Sequence, residues 1–246
     1  MREVGAVCFD LDDTLRDGGG AADALRRTAE KLAALSGVAS DVILGANATE
    51  WAGLWPEVET AWTLGAMSGA EVTSEAWRRT LGACGVDDPG LVRRATEVHL
   101  AEILAEQRLF DDAARLLDAL DGQLPLALIT NGASDTQHAV LRALDLERRF
   151  DAIVISGEVG VAKPDPAAFR LACDRLGTDP SAAWHVGDNL VTDVGGAKSA
   201  GLVAVWLNRS RVSRPDQSVE PDLDIGSLDD LTSHIAAAQH SITRPK

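Results

Sequence analysis

The stretch Val4-Gly5-Ala6-Val7-Cys8-Phe9-Asp10-Leu11-Asp12-Asp13-Thr14-Leu15 joins an unbroken apolar run to a cluster of three acids. An apolar run without polar alternation is typical of a strand buried on both faces, as the central strands of a parallel sheet are. Similar apolar runs follow along the chain, at residues 124–130, 152–156, 182–186 and 202–207. Amphipathic stretches of helical length lie between them, such as 133–146 and 164–176. This alternation predicts an α/β fold with right-handed βαβ units and a doubly wound parallel sheet.

Residues 17–108 interrupt the alternation after the first predicted strand. Helical patterns dominate this segment, at 24–36, 74–82 and 91–107. At about 90 residues it is too long for a crossover and long enough for a domain. We therefore predict an inserted α-helical cap domain at 17–108 and a core made of 1–16 and 109–246. The three glycines at 18–20 indicate either a moving hinge or an ordinary flexible loop.

Composition narrows the range of partners. The chain has 38 Asp and Glu against 23 Lys and Arg, a formal net charge of −15, so neither nucleic acid nor an anionic membrane is an expected partner. The cysteines are widely spaced and the histidines form no ligand pattern, which disfavours disulfides and a zinc site. No apolar run approaches the ~20 residues of a membrane span, and a cytoplasmic location is predicted. The oligomeric state is left open.

Three acids follow the first predicted strand directly: Asp10, Asp12 and Asp13. Like charges in a buried turn repel one another and lose hydration, unless a positive charge lies among them. A hard divalent cation with oxygen ligands meets that requirement. For an isolated pair of acids, a solvated acidic turn or a helix N-cap is the favoured explanation, so this motif alone is weak evidence.

Later apolar runs also end in groups suited to phosphate or metal. Thr130-Asn131-Gly132 offers a hydroxyl and backbone N–H groups at a helix start, which suits an anion or a simple capping turn. Lys163 precedes a predicted helix, although a lone lysine is usually solvated surface. Asp188 and Asp193 form a second acidic pair. Ligands of open α/β sheets bind outside the carboxyl ends of the strands, so these groups are predicted to share one site.

The chain carries four motifs in the order FDLDDTL (9–15), TNG (130–132), KPD (163–165) and GDNLVTD (187–193), and the helical insert lies between the first and the second. This arrangement resembles the haloacid dehalogenase-like hydrolase superfamily, in the subfamily that has a helical cap between its first two motifs. The resemblance covers residues 4–16 and 109–235, and in the cap it extends only to size and helical character. It implies a Rossmann-like doubly wound core and Mg²⁺-dependent phosphoryl transfer through an aspartyl-phosphate.

The resemblance also implies a role for each motif residue. Asp10 would be the nucleophile and a metal ligand. Asp12 would protonate the leaving group, then activate water, and would lend Mg²⁺ its backbone carbonyl. Asp188 would complete the protein ligands of the metal, and Asp193 would support the site by orienting Lys163 or a water. The groups that would hold the phosphoryl oxygens and offset their charge are Thr130, Asn131, Gly132 and Lys163.

The function predicted on this basis is that of a hydrolase acting on phosphate monoesters, with a small phosphorylated metabolite such as a nucleoside monophosphate or a sugar phosphate as substrate. Asp12 favours it over a dehalogenase of the superfamily, which needs neither a metal nor an acid at this position. A phosphomutase would share the motifs, and a phosphonate-cleaving enzyme would use a cap lysine, for which only Lys31 is available. A non-catalytic phosphate-sensing domain is the alternative from another class, although receiver modules lack a large insert.

The predicted cap contains four of the chain's six tryptophans, Trp51, Trp55, Trp62 and Trp77. They either fill the core of the cap, the interpretation favoured for at least two of them, or form an aromatic wall that stacks on a flat substrate group. Pro56 predicts a helix boundary within this series. Three arginines are candidate anchors for a carboxylate or second phosphate, or plain surface residues: Arg16, Arg78 and Arg79.

Overall fold

The computed structural model describes residues 4–215 and 219–240, and in this part of the chain six parallel strands form one sheet. The strands are β1 (Ala6–Phe9), β2 (Leu126–Thr130), β3 (Ala152–Ile155), β4 (Ala183–Gly187), β5 (Val203–Leu207) and β6 (Leu223–Ile225). Their order is β3-β2-β1-β4-β5-β6, so the direction of strand addition reverses between β1 and β4. Open α/β sheets bind ligands at such a switch point. The predicted doubly wound α/β fold is confirmed.

The strand register brings the ends of the central strands to one edge of the sheet. Phe9 of β1 lies opposite Leu128 of β2 and Val186 of β4. The residues that follow these three strands therefore emerge side by side, and Asp10 is the first of them.

Helices cover both faces of the sheet, as strands without a polar face require. Val7 and Phe9 of β1 pack into one apolar cluster, whereas Cys8 packs into another on the opposite face. The first cluster is closed by α5 (Asp111–Leu120), α6 (Ser134–Ala143) and α10 (Leu228–His240). The short helix α7 (Ser156–Val159) follows β3, and the second cluster is closed by α8 (Pro166–Leu176), a π-helical turn (Leu190–Gly195) and α9 (Gly196–Ala200).

Residues 21–105 form a four-helix bundle of α1 (Ala21–Ser36), α2 (Ser40–Thr63), α3 (Gly69–Ala83) and α4 (Pro89–Ala105). Each helix packs against two others, since α1 and α3 both contact α2 and α4. The chain enters and leaves the bundle side by side, because Arg16 and Leu109 form an antiparallel bridge. Among the helices of residues 4–215 and 219–240, none combines the length and apolar character needed to cross a membrane.

The helix boundary predicted at Pro56 is wrong, because Pro56 lies inside the continuous helix α2. Proline removes one backbone hydrogen bond from a helix interior. Here Leu54 and Val58 on either side of it are buried in the bundle, so packing holds the helix together across the interruption.

Two other details differ from the sequence-based expectation. Helix α8 begins at Pro166, two residues later than predicted, because the Asp165 carboxylate accepts a hydrogen bond from the Ala167 N–H and caps the helix at that point. Residues Gly18–Gly20 form an ordered 3₁₀ turn. The last glycine is required by close packing, since a Cβ at Gly20 would lie 2.6 Å from the Cβ of Glu106.

Candidate active site

A buried lysine connects two carboxylates at the switch point of the sheet. Lys163 Nζ donates hydrogen bonds to Asp10 Oδ1 at 2.5 Å and to Asp193 Oδ1 at 2.7 Å. All three residues are buried, and Lys163 is only 5% exposed. The structure thus brings together one residue after β1, one after β3 and one after β4, which are far apart in the sequence.

The charges in this cluster do not balance. Burial lowers the pKa of Lys163, but the carboxylates of Asp10 and Asp193 outweigh burial and raise it above its usual value, so the ammonium stays charged. Burial raises the pKa of Asp10 to about 8. Lys163 lowers this pKa, whereas the negative charges of Asp193 and Asp12 raise it further. The cluster therefore holds more negative charge than one lysine compensates.

Asp188 adds a third carboxylate to the cluster. One carboxylate oxygen each of Asp10, Asp188 and Asp193 lies within 4.8 Å of the others, so the three could hold a metal ion. Burial, followed by the charge of Asp193, raises the pKa of Asp188 to about 6. Hard oxygen donors of this kind, few in number and crowded together, fit the ligand preference of Mg²⁺.

Asp193 is bound more fully by protein groups than the other two acids. In addition to Lys163, its carboxylate contacts His185 Nε2 at 3.1 Å and accepts from the Asn189 N–H at 3.1 Å. Burial opposes ionisation, but the Lys163 charge and the His185 hydrogen bond outweigh it and hold the pKa of Asp193 well below its usual value. The carboxylate of Asp193 is therefore held by three protein groups, Lys163, His185 and the Asn189 N–H.

The end of β2, at Thr130, and the loop that follows it contribute further polar atoms to the site. The Asn131 side chain donates to the Lys163 carbonyl and accepts from the Lys163 N–H, both at 2.9 Å. Thr130 Oγ1 is buried and has no hydrogen-bond partner in the described part of the chain, so it has a hydrogen bond to offer a ligand. The Gly132 N–H, in contrast, donates to Ser156 Oγ at 2.9 Å and is not directed at a ligand.

Asp12 lies at the partly exposed rim of the site. Its carboxylate accepts hydrogen bonds from Arg16 and, at 3.4 Å, from Gln137 Nε2. Arg16 also donates to Gln107 in the segment that returns from the bundle. Of the three arginines considered as anchors, only this one reaches the site. Arg78 and Arg79 pair with glutamates on the bundle surface, Glu75 and Glu57.

Several contributing residues were not found from the sequence. Gln137 donates to the Asn131 carbonyl at 2.8 Å as well as to Asp12, and no pattern in the sequence indicated this role. Gly187 is required because a Cβ there would lie 2.3 Å from Cγ of Asp193. The contact of Gln137 with Asp12 joins α6 to the loop after β1, and the spacing within a single motif does not record such a contact.

The four bundle tryptophans divide between the two interpretations. Trp77 is 1% exposed and belongs to the bundle core. Trp55 and Trp62 pack partly against a second core cluster, and together with Trp51 they also line a cavity between the bundle and α6. Trp77 therefore fills the bundle core, as one of the two interpretations predicted. Trp55 and Trp62 do so only in part, because they also line the cavity.

The sequence was also compared with those of known protein families. A sequence model of haloacid dehalogenase-like hydrolases matches residues 4–201. The chain belongs to the haloacid dehalogenase-like hydrolase family.

Proteins with different activities resemble the chain. A phosphoserine phosphatase of Thermus thermophilus is 43% identical over 145 residues, which are 56% of this chain and 57% of that protein. The chain thus matches little more than half the length of that relative. A glyceraldehyde 3-phosphate phosphatase of Methanopyrus kandleri is 30% identical over 235 residues, 90% of this chain and 93% of the relative. The crystal structure of a 2-haloacid dehalogenase from Pseudomonas syringae matches this structure with a TM-score of 0.69 and 30% sequence identity. The match covers 95% of this chain and 99% of the dehalogenase chain.

Proposed function

We propose that this haloacid dehalogenase-like hydrolase is a Mg²⁺-dependent phosphatase that hydrolyses a small phosphorylated metabolite through an aspartyl-phosphate at Asp10. The position of Asp12 carries the proposal. Cleavage of a phosphate monoester expels an alkoxide, a strong base that needs a proton, whereas a departing halide needs none. Arg16 and Gln137 hold the carboxylate of Asp12 at the rim of the site, where the alcohol would leave.

In the first step, a carboxylate oxygen of Asp10 forms a bond to phosphorus while the bond from phosphorus to the alcohol oxygen breaks, and Asp12 gives that oxygen its proton. Lys163 offsets charge between Asp10 and the phosphoryl oxygens, to which the Thr130 hydroxyl donates. Mg²⁺, held by Asp10, Asp188 and the Asp12 carbonyl, would neutralise negative charge on the transferring group. In the second step Asp12 takes a proton from a water that attacks phosphorus, which frees Asp10 and releases phosphate.

We also propose that residues 17–108 act as a cap domain over a core of 1–16 and 109–246. The bridge between Arg16 and Leu109 supports these limits, because both connections to the bundle cross at that point.

The likeness to the Pseudomonas syringae dehalogenase favours a second candidate, in which Asp10 displaces halide from a 2-haloacid. The two candidates are separated by measuring phosphate release from p-nitrophenyl phosphate with Mg²⁺ and chloride release from 2-chloropropionate. The proposal expects phosphate release that disappears with EDTA and no chloride release above an Asp10→Asn control. Chloride release without phosphate release would overturn the phosphatase proposal and support the dehalogenase instead.

Asp12→Asn is expected to lower kcat/KM for an alkyl phosphate on the order of 10²–10⁴-fold, because the leaving alkoxide loses its acid. The loss should be smaller for p-nitrophenyl phosphate, whose leaving group is a weak base. The matched control is Asp174→Asn, which alters an exposed carboxylate on α8. Equal losses for both esters would contradict the role of Asp12 as the acid of the first step.

Mg²⁺ is expected to raise the melting temperature, since a ligand present at 100 times its Kd adds about 2.7 kcal/mol to the free energy of unfolding. Asp188→Asn should remove most of this shift. It should not destabilise the metal-free protein, because burial raises the pKa of Asp188 to about 6 and makes its charge unfavourable at neutral pH. Differential scanning fluorimetry with and without Mg²⁺ measures both effects, and an unchanged shift would remove Asp188 from the metal ligands.

A further inference from the structure

Two adjoining cavities lie in the bundle and between the bundle and α6, each with a volume of about 380 Å³. Trp51, Thr73 and Ile103 line both of them, so the two cavities adjoin at these side chains and are together called the chamber. Trp51 is 40% exposed, so part of its indole stays accessible in the described chain.

Trp62, which lines the cavity next to α6, also lies against the candidate phosphate loop. A Cβ at Gly132 would lie 2.7 Å from the six-membered ring of Trp62, so the indole rests against the loop. Ser156 Oγ donates to the Thr63 carbonyl at 2.6 Å and accepts from the Gly132 N–H, which fixes the end of α2 to the same loop. The aromatic row therefore starts at the site where phosphate is proposed to bind.

From Trp62 the row runs outward along α2. The ring centroids of Trp62 and Trp55 are 5.5 Å apart in an edge arrangement, and those of Trp55 and Trp51 are 5.5 Å apart in a stacked arrangement. All three tryptophans line the cavity next to α6, so aromatic side chains form one side of the chamber.

The chamber offers no positive charge to a ligand. Among the residues that line it there is no lysine or arginine, and its one carboxylate, Asp135, accepts hydrogen bonds from the N–H groups of Gly69 and Ala70 at the start of α3. His99 also lines it, and burial lowers the pKa of this imidazole to about 4, so the ring is neutral at pH 7. A second phosphate or a carboxylate on the substrate would be desolvated there without a counterion.

Two polar side chains have unused hydrogen-bonding atoms in the inner part of the chamber. Asn47 Nδ2 donates to Thr80 Oγ1 at 3.0 Å, and His99 Nδ1 contacts Thr28 Oγ1 at 3.2 Å. The other polar atoms of these side chains, Asn47 Oδ1 and His99 Nε2, make no hydrogen bond within the described residues. A mainly apolar cavity with a few polar atoms is the usual form of a small-molecule site.

Resting on the phosphatase function proposed above, we infer that the chamber receives the alcohol part of the substrate and selects a neutral group with a flat aromatic or heteroaromatic ring, as in a nucleoside monophosphate. The ring stacks on Trp51 and Trp55, and its polar edge bonds to Asn47 and His99. Substrates whose alcohol part carries its own anionic group are selected against.

The first test compares kcat/KM, by phosphate release, for a nucleoside monophosphate, phenyl phosphate, phosphoserine and methyl phosphate. We expect the two ring-bearing esters to exceed phosphoserine by at least about 10-fold, given the usual strength of stacking on an aromatic side chain. If none of the esters is hydrolysed, the proposed function itself fails. If all are hydrolysed with similar kcat/KM, the phosphatase stands and the selection of a ring is overturned.

The second test changes the chamber wall. Trp51→Ala should lower kcat/KM for the nucleoside monophosphate by about 10–100-fold and leave methyl phosphate unaffected, whereas Trp51→Phe should retain most of the activity. The matched control is Leu35→Ala, an exposed apolar residue of α1 outside the chamber. Thr73→Phe should fill the chamber and exclude the nucleoside monophosphate but not methyl phosphate. Equal effects on both esters would overturn the inference.

A binding measurement gives a readout without turnover. In the Asp10→Asn background, equilibrium dialysis should show that the nucleoside monophosphate binds at least about 10-fold more tightly than methyl phosphate, and that Trp51→Ala removes the difference. Equal affinities in both backgrounds would contradict a stacking site in the chamber.

Discussion

Replacement of Asp10 by Asn is expected to abolish hydrolysis of phosphate esters and to leave the protein folded. Asparagine has nearly the same shape but no nucleophilic oxygen, so the aspartyl-phosphate cannot form, and losses on the order of 10⁶-fold are measured when a covalent nucleophile is removed. The fold should tolerate the change because burial raises the pKa of Asp10 to about 8, and its negative charge is therefore a cost to the folded state at neutral pH.

Phosphate release and thermal unfolding in metal-free buffer measure the two parts of this prediction. The Asn variant should melt at the same temperature as the parent chain or higher, and Asp174→Asn serves as the control for a lost carboxylate at an exposed position. Undiminished turnover by the Asp10 variant would mean that another group attacks phosphorus.

Lys163→Met is expected to lower the free energy of unfolding by about 3–5 kcal/mol at neutral pH, the range observed when one partner of a buried ion pair is removed. Methionine fills a similar volume but leaves the carboxylates of Asp10 and Asp193 facing each other without a cation. Activity should be lost as well, because no positive side chain then offsets the charge of the phosphoryl group.

Urea denaturation at several pH values measures this effect on stability. The deficit should shrink as the pH falls from 8 to 5, because the uncompensated carboxylates bind protons in the folded state and lose their repulsion. Lys198→Met is the control, since Lys198 pairs with Asp222 at the surface and its loss should cost about 0–1 kcal/mol. A deficit no larger than that of the control would show that the buried pair contributes little.

The sheet and the location of the site were predictable because both follow from local rules. Strands such as β1 and β4 are buried on both faces, and the carboxyl ends of parallel strands meet at one edge. Asp10, Lys163 and Asp188 could therefore be placed together from their positions after predicted strands. The strand that a residue follows is enough to place it at this edge, and side-chain packing need not be known.

The details that escaped prediction depend on contacts between distant segments. The continuity of α2 through Pro56 is decided by burial of Leu54 and Val58 in the bundle, which a helix-breaking rule does not include. The contact of Gln137 with Asp12 likewise joins a helix of the core to the loop after β1. Residues of this kind become visible only when the tertiary arrangement is known.

The two-sided amide contact between Asn131 and the main chain of Lys163 has a consequence for the energetics of ligand binding. Because both the carbonyl and the N–H of Lys163 are held by a side chain of the neighbouring loop, the backbone that carries the ammonium is immobilised before any ligand arrives. In the proposed reaction, an incoming anion would meet an ammonium group that is already oriented by the fold. The free-energy cost of reorganising Lys163 during the reaction would therefore be small.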